Sequence, residues 1–291
     1  MAKHSRPEEQ NGLVVNNKRP KDERTLYPGH QLQQKVWSVN KGAEISGSVC
    51  EKLTVKILGG HRSTINSTAD VCPDTVNEEK RIYVESKACQ TAHAFKVPVA
   101  QLQHYRRVRF DSYRFNDPYG VLYALWAYSA TRITGLSAKH AKNPEPKNPR
   151  TLREVIEKVI ESVERVFVLD LSLMYRLFRR ADKERVKYCS IKDYASWKGY
   201  HEPTYHVLNV GHKFLKGLYE NTEGVLTEFG LRPEEWRWKA TEREFETIVI
   251  DGVEFESPPF KCFELVRPEG WYEYPKYPYD AKYSPDPEVP F

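Results

Sequence analysis

The chain has 291 residues, 40% of them apolar, and 45 Lys and Arg against 40 Asp and Glu for a net charge of +5. That is enough apolar material for a real core and excludes a wholly disordered chain. The longest apolar stretches, such as 166–173, are interrupted by Asp170 far short of the roughly 20 residues that cross a bilayer, so neither a transmembrane helix nor a membrane partner is expected. The first residues, Met-Ala-Lys-His-Ser-Arg-Pro-Glu-Glu, carry both signs of charge and no apolar signal core, which makes cytoplasm the expected location.

In chain order, residues 1–30 mix charge with Asn, Pro and Gly and predict a mobile arm. A single α+β body is expected over 31–266. Its sheet-rich part, 50–116, has strands at Leu53–Leu58, Arg81–Ser86, Ala94–Val99 and Tyr105–Phe115, forming a small antiparallel N-terminal sheet. Residues 117–240 are expected to be helical. Asp117-Pro118 supplies a cap and a first-turn proline, and Leu122, Leu125, Trp126 and Ala130 recur at helical spacing up to Gly135. Thr151 and Glu154 form a capping-box pattern ahead of the stripe Leu152, Val155, Ile156, Val159, Ile160 and Val163. More helix is expected from Leu173 to about Tyr219. Asp251-Gly252 between two apolar runs predicts a hairpin over 245–256, because both turn positions need positive φ. The Tyr- and Pro-rich residues 267–291 predict an extended tail.

Cysteines at 50, 72, 89, 189 and 262 are odd in number and never spaced Cys-x-x-Cys, so they read as buried thiols rather than as disulfides or zinc ligands. His201, His206 and His212 lack the i, i+4 pairing of zinc hydrolases, and no metal or cofactor is expected. No catalytic residue is nominated.

Three segments point to nucleic acid, DNA or RNA, as the partner. Ser190 to Asn209 (SIKDYASWKGYHEPTYHVLN) places Ala195 four residues before Gly199, ahead of a second apolar segment. It resembles the helix-turn-helix of the lactose-repressor type. The resemblance implies that Glu202, Thr204, Tyr205 and His206 face base edges, while Lys192, Lys198 and Lys213 reach phosphates. Just before it, Arg176, Arg179, Arg180, Lys183, Arg185 and Lys187 outweigh Asp182 and Glu184, as a phosphate-binding helix would require. In Tyr105–Phe115, alternation on a strand would put Arg107 and Arg109 beside Tyr105 and Tyr113, a stacking platform for single strands.

Cys72-Pro-Asp-Thr75 followed by Val84-Glu-Ser-Lys87 distantly resembles two motifs of the nitrile reductases of queuosine biosynthesis, where the cysteine is the nucleophile and the Glu lies in the substrate pocket. The interval is too short and the downstream His-rich motif is absent, so that activity is not expected. The rival to nucleic-acid binding is a subunit of a larger assembly, its Tyr/Pro-rich tail lying across a neighbouring protein.

Overall fold

The computed structural model describes residues 32–33, 35–36, 39–62, 74–114, 120–129, 150–194, 205–243 and 247–266. The arm at 1–30, the tail at 267–291, Cys72 and the loop 195–204 lie outside these residues.

Everything is arranged about strand β6 (Gly120–Tyr128), whose nine residues are all buried. A strand covered on both faces reads as an unbroken apolar run rather than an alternation. Around it runs a seven-stranded mixed sheet in the order β11-β14-β8-β6-β4-β3-β2. Its other members are β2 (His61–Arg62), β3 (Thr75–Asn77), β4 (Ile82–Gln90), β8 (Val163–Asp170), β11 (Arg237–Arg243) and β14 (Phe260–Val266). Strands β2, β3 and β4 form an antiparallel meander, and β4 then pairs parallel with β6. A parallel neighbour requires a crossover. Here that connection contains β5 (Ala94–Pro98) and helix α2 (Val99–Arg114).

One face of the sheet is covered by α1 (Val39–Leu58) and α3 (Leu152–Glu161). Ile45, Val49, Leu53 and Ile57, four residues apart along α1, pack with Val84, Leu122, Ala124, Trp126, Val166 and Val168. The opposite face carries α2, α4 (Leu171–Lys183), α5 (His212–Glu220) and α6 (Thr222–Glu228). A second sheet joins them there, ordered β5-β10-β9, with β9 at Cys189–Tyr194 and β10 at Tyr205–Gly211. Leu102, Tyr105, Leu173 and Leu177 meet Tyr123, Leu125 and Phe167 in this second core.

The α+β class holds, and several local expectations hold with it. The Thr151 cap and Glu154 form the capping box of α3. The hairpin β12 (Ile248–Ile250) and β13 (Val253–Phe255) turns on Asp251 and Gly252, with φ of 54° and 79°. Four expectations are corrected. Leu53–Leu58 is the last turn and a half of α1, because its apolar residues continue an i, i+4 stripe that starts at Ile45. Tyr105–Arg114 belongs to α2, with Leu102 and Tyr105 on its buried side. The 117–135 region contains the strand β6 rather than a helix. The helical centre is interrupted by β8, β9 and β10, so the sheet spans the chain and is not a small N-terminal unit.

Trp126 joins the layers: its Nε1–H donates to Thr54 Oγ1 at 2.8 Å, and its ring meets Phe260 edge-on at 5.3 Å. Trp126→Ala is expected to cost about 3–5 kcal/mol, whereas Thr151→Ala, which removes only a cap, should cost about 1 kcal/mol. Urea unfolding of both variants checks this, and equal losses would contradict the central position given to Trp126.

Candidate active site

Side chains along β4 alternate between the two faces. Ile82 and Val84 enter the α1 core, so Glu85 and Lys87 turn toward α2. Glu85 is only 3% exposed although it sits in mid-strand. A buried carboxylate there needs compensation on both oxygens. Lys87, two residues on and therefore on the same face, pairs with its Oε1. From α2, Tyr105 donates its hydroxyl to Oε2 at 2.8 Å.

Asp74 immediately precedes β3. The ladder between β3 and β4 stops at Thr75 opposite Val84. Beyond it the Asp74 side chain replaces the backbone, Oδ2 accepting the N–H of Ser86 at 2.8 Å. A third carboxylate, Glu51 of α1, is bound by Arg62 of β2, whose Nε–H donates to Oε2 at 2.7 Å. Among the described residues, Asp74, Glu85 and Glu51 are thus set against two cations, Lys87 and Arg62.

The electrostatics follow from that imbalance. Burial and then the Glu85 charge push the Asp74 carboxyl well above its ordinary range, and Lys87 offsets this only in part. Burial works against the Lys87 ammonium, but Glu85, Asp74 and Glu51 outweigh it and hold the lysine more basic than usual. Burial, followed by Glu85, keeps the phenols of Tyr105 and Tyr123 protonated. Tyr123 lies beside Glu85 in the β4–β6 register. Its hydroxyl is buried without a hydrogen-bond partner among the described residues, as is Oε1 of Gln101, one turn before Tyr105 on α2.

Among the described residues no group of three or more His, Cys, Asp or Glu is placed to hold a metal ion. The donor set fits a different kind of binding. Magnesium is commonly held by one or two carboxylates, with waters and substrate phosphates filling the remaining positions. Asp74 and Glu85, short of positive charge, suit that role.

The residues expected from sequence are scattered. Ser190–Asp193 and Tyr205–Asn209 are paired strands, with Ser190 opposite Asn209, so the helix-turn-helix expectation is corrected; Lys198, Glu202 and Thr204 lie outside the described residues. Lys192 and His206 are exposed on those strands. In the basic segment, α4 ends at Lys183, leaving Arg185 and Lys187 exposed beyond it. Arg176 donates to the Phe229 carbonyl at 3.1 Å, and Arg180 lies over the Phe229 ring and pairs with Glu184 and Glu228. Those two arginines fasten α4 to α6. Arg107 and Arg109 belong to helix α2 rather than to a strand, so the period-two alternation behind the one-faced platform is also corrected. Sequence reasoning quotes Asp74, Glu85 and Lys87 only inside the nitrile-reductase comparison and looks to Cys72 for chemistry. The usable signal was a Glu-x-Lys on a strand, preceded by an Asp at the start of its hairpin partner.

A carboxyl whose folded pKa is raised loses stability as pH climbs from its unfolded value, about 3.9, toward the folded one, because the folded state retains the proton longer. Asp74→Asn keeps an acceptor for Ser86 and removes that loss. In chelator at pH 8 the variant should melt higher than wild type, by about 2–4 °C for each kcal/mol recovered, and the gap should shrink toward pH 4. Scanning calorimetry at the two pH values tests this; a less stable variant at pH 8 would sink it.

Comparison with protein families, curated proteins and solved structures finds no match for this chain, so the functional reading stands on the geometry.

Proposed function

We propose that this chain is a divalent-cation-dependent nuclease that hydrolyses phosphodiester bonds in nucleic acid. The observation that carries the reading is Asp74 and Glu85 side by side on hairpin-paired strands, with Lys87 paired to Glu85 on the same face. Two carboxylates alone would also suit glycoside hydrolysis, where they flank a neutral sugar. An ammonium in their midst favours an anionic substrate instead.

Asp74 and Glu85 would hold the cation, and the scissile phosphate would complete its shell. When bound there, the cation would supply Lewis-acid polarisation of the phosphoryl oxygen and a more acidic water. Lys87 stabilises the charge that gathers on the phosphoryl oxygens as the leaving oxygen departs, the main task of a protein in this chemistry. Tyr105 fixes the Glu85 carboxylate through its 2.8 Å hydrogen bond, and Arg62 restrains Glu51 behind the site. Helix α2 carries Tyr105 into the site. Arg179, Arg185, Lys187 and Lys192 are further candidates for phosphate contact.

Incubation with labelled single- and double-stranded DNA and RNA in magnesium, manganese or chelator tests the proposal. Cleavage is expected with either cation and not in chelator, and Glu85→Gln or Lys87→Ala should lower the rate by about 100-fold or more. Absence of cleavage on every substrate, or cleavage that survives chelator and both substitutions, overturns it. Binding should also weaken steeply between about 50 and 200 mM salt. The triple variant Arg179→Ala, Arg185→Ala, Lys187→Ala should weaken binding several-fold at low salt while leaving Tm unchanged, as anisotropy and calorimetry would show.

A further inference from the structure

We infer that Tyr123 is a positioning residue of the site, its phenolic O–H donating to a water or phosphate oxygen in the shell of the cation held by Asp74 and Glu85. This rests on the nuclease reading and adds to it a group outside the carboxylates and lysine. Tyr123 is fully buried at the centre of β6, directly opposite Glu85 in the parallel register. Its ring meets that of Tyr105 edge-on at 6.3 Å. Their hydrogen bonding differs. Tyr105 satisfies its hydroxyl on Glu85 Oε2, and Lys87 occupies Oε1, whereas the Tyr123 hydroxyl has no partner among the described residues.

A buried hydroxyl without a partner is destabilising, and phenylalanine would fill the same space without that cost. A purely structural role therefore does not account for the oxygen. A phenolic O–H is a donor at neutral pH, and with no acceptor among the described residues it is free to donate to an oxygen brought into the site. Outer-shell donors of this kind orient the groups bound to a metal, and their loss typically weakens metal affinity or activity by about 10–100-fold.

The test is Tyr123→Phe, with magnesium affinity measured by calorimetric titration in the absence of nucleic acid, melting in chelator, and kcat and KM on the cleaved substrate. The expected result is about tenfold weaker magnesium binding or tenfold lower kcat, KM for nucleic acid unchanged, and a Tm in chelator equal to or above wild type. A variant that binds magnesium and turns over as wild type does overturns the inference and leaves the nuclease reading intact. Loss of function together with a lower Tm in chelator assigns the hydroxyl to the fold and likewise overturns it. Wild-type protein that binds no magnesium overturns both.

Discussion

The Glu85 carboxylate, buried in the middle of a strand, is the constraint on which the arrangement around it depends. An uncompensated charge there would cost several kcal/mol, so both oxygens must be met from the same face of the sheet. Strand alternation delivers Lys87 to one oxygen. The other must be reached from above, and the parallel pairing of β4 with β6 already demands a crossover. That crossover lays α2 over the α2-facing side of β4, with Tyr105 at the height of Glu85. The short β3 then decides where Asp74 falls, because the ladder ends one residue early and a side chain takes over the Ser86 N–H.

This cluster works against the stability of the fold that contains it. Burial and the Glu85 charge push the Asp74 carboxyl well above its ordinary range, and the Tyr123 hydroxyl is buried without a hydrogen-bond partner among the described residues. An apolar filling of similar volume would relieve both, since replacing buried polar networks by packed hydrophobic groups is often neutral or stabilising. The neighbouring network around Thr54 shows the contrast. Thr54 donates to the Cys50 carbonyl at 2.8 Å and accepts from Trp126 at 2.8 Å, leaving a buried hydroxyl fully used. Satisfied polar groups specify packing, whereas an unsatisfied one beside like charges calls for an explanation other than packing.

Local chemistry was the legible part of this fold. The Thr151 and Glu154 capping box and the Asp251-Gly252 turn work through residues within a few positions of one another, so one sequence suffices to read them. Strand β6 was not legible by periodicity, because burial on both faces erases alternation and leaves an apolar run in which Leu122, Leu125 and Trp126 mimic a helical stripe. The 190–209 segment matched a helix-turn-helix in small-residue spacing, yet its strands pair across a register that only tertiary structure reveals. For the site, Asp74 and Glu85 could be quoted as motif residues. What made them a pair was the hydrogen bond from Ser86 to Asp74 and the burial of the strand, both products of non-local packing.

Charge counting misled for a related reason. Arg176 and Arg180 contribute to a basic tally, but their guanidinium groups are committed to Phe229 and the α6 terminus, so the field they offer a polyanion is reduced. A net charge of +5 on 291 residues is modest for a protein that grips nucleic acid through phosphate contacts alone. In the proposed nuclease that demand would fall, because a cation held by Asp74 and Glu85 would offset charge on the scissile phosphate and leave the protein's own cations chiefly to align the flanking backbone. Chemistry of that kind depends on where a few charges sit relative to one buried glutamate, and only weakly on how many basic residues the chain carries.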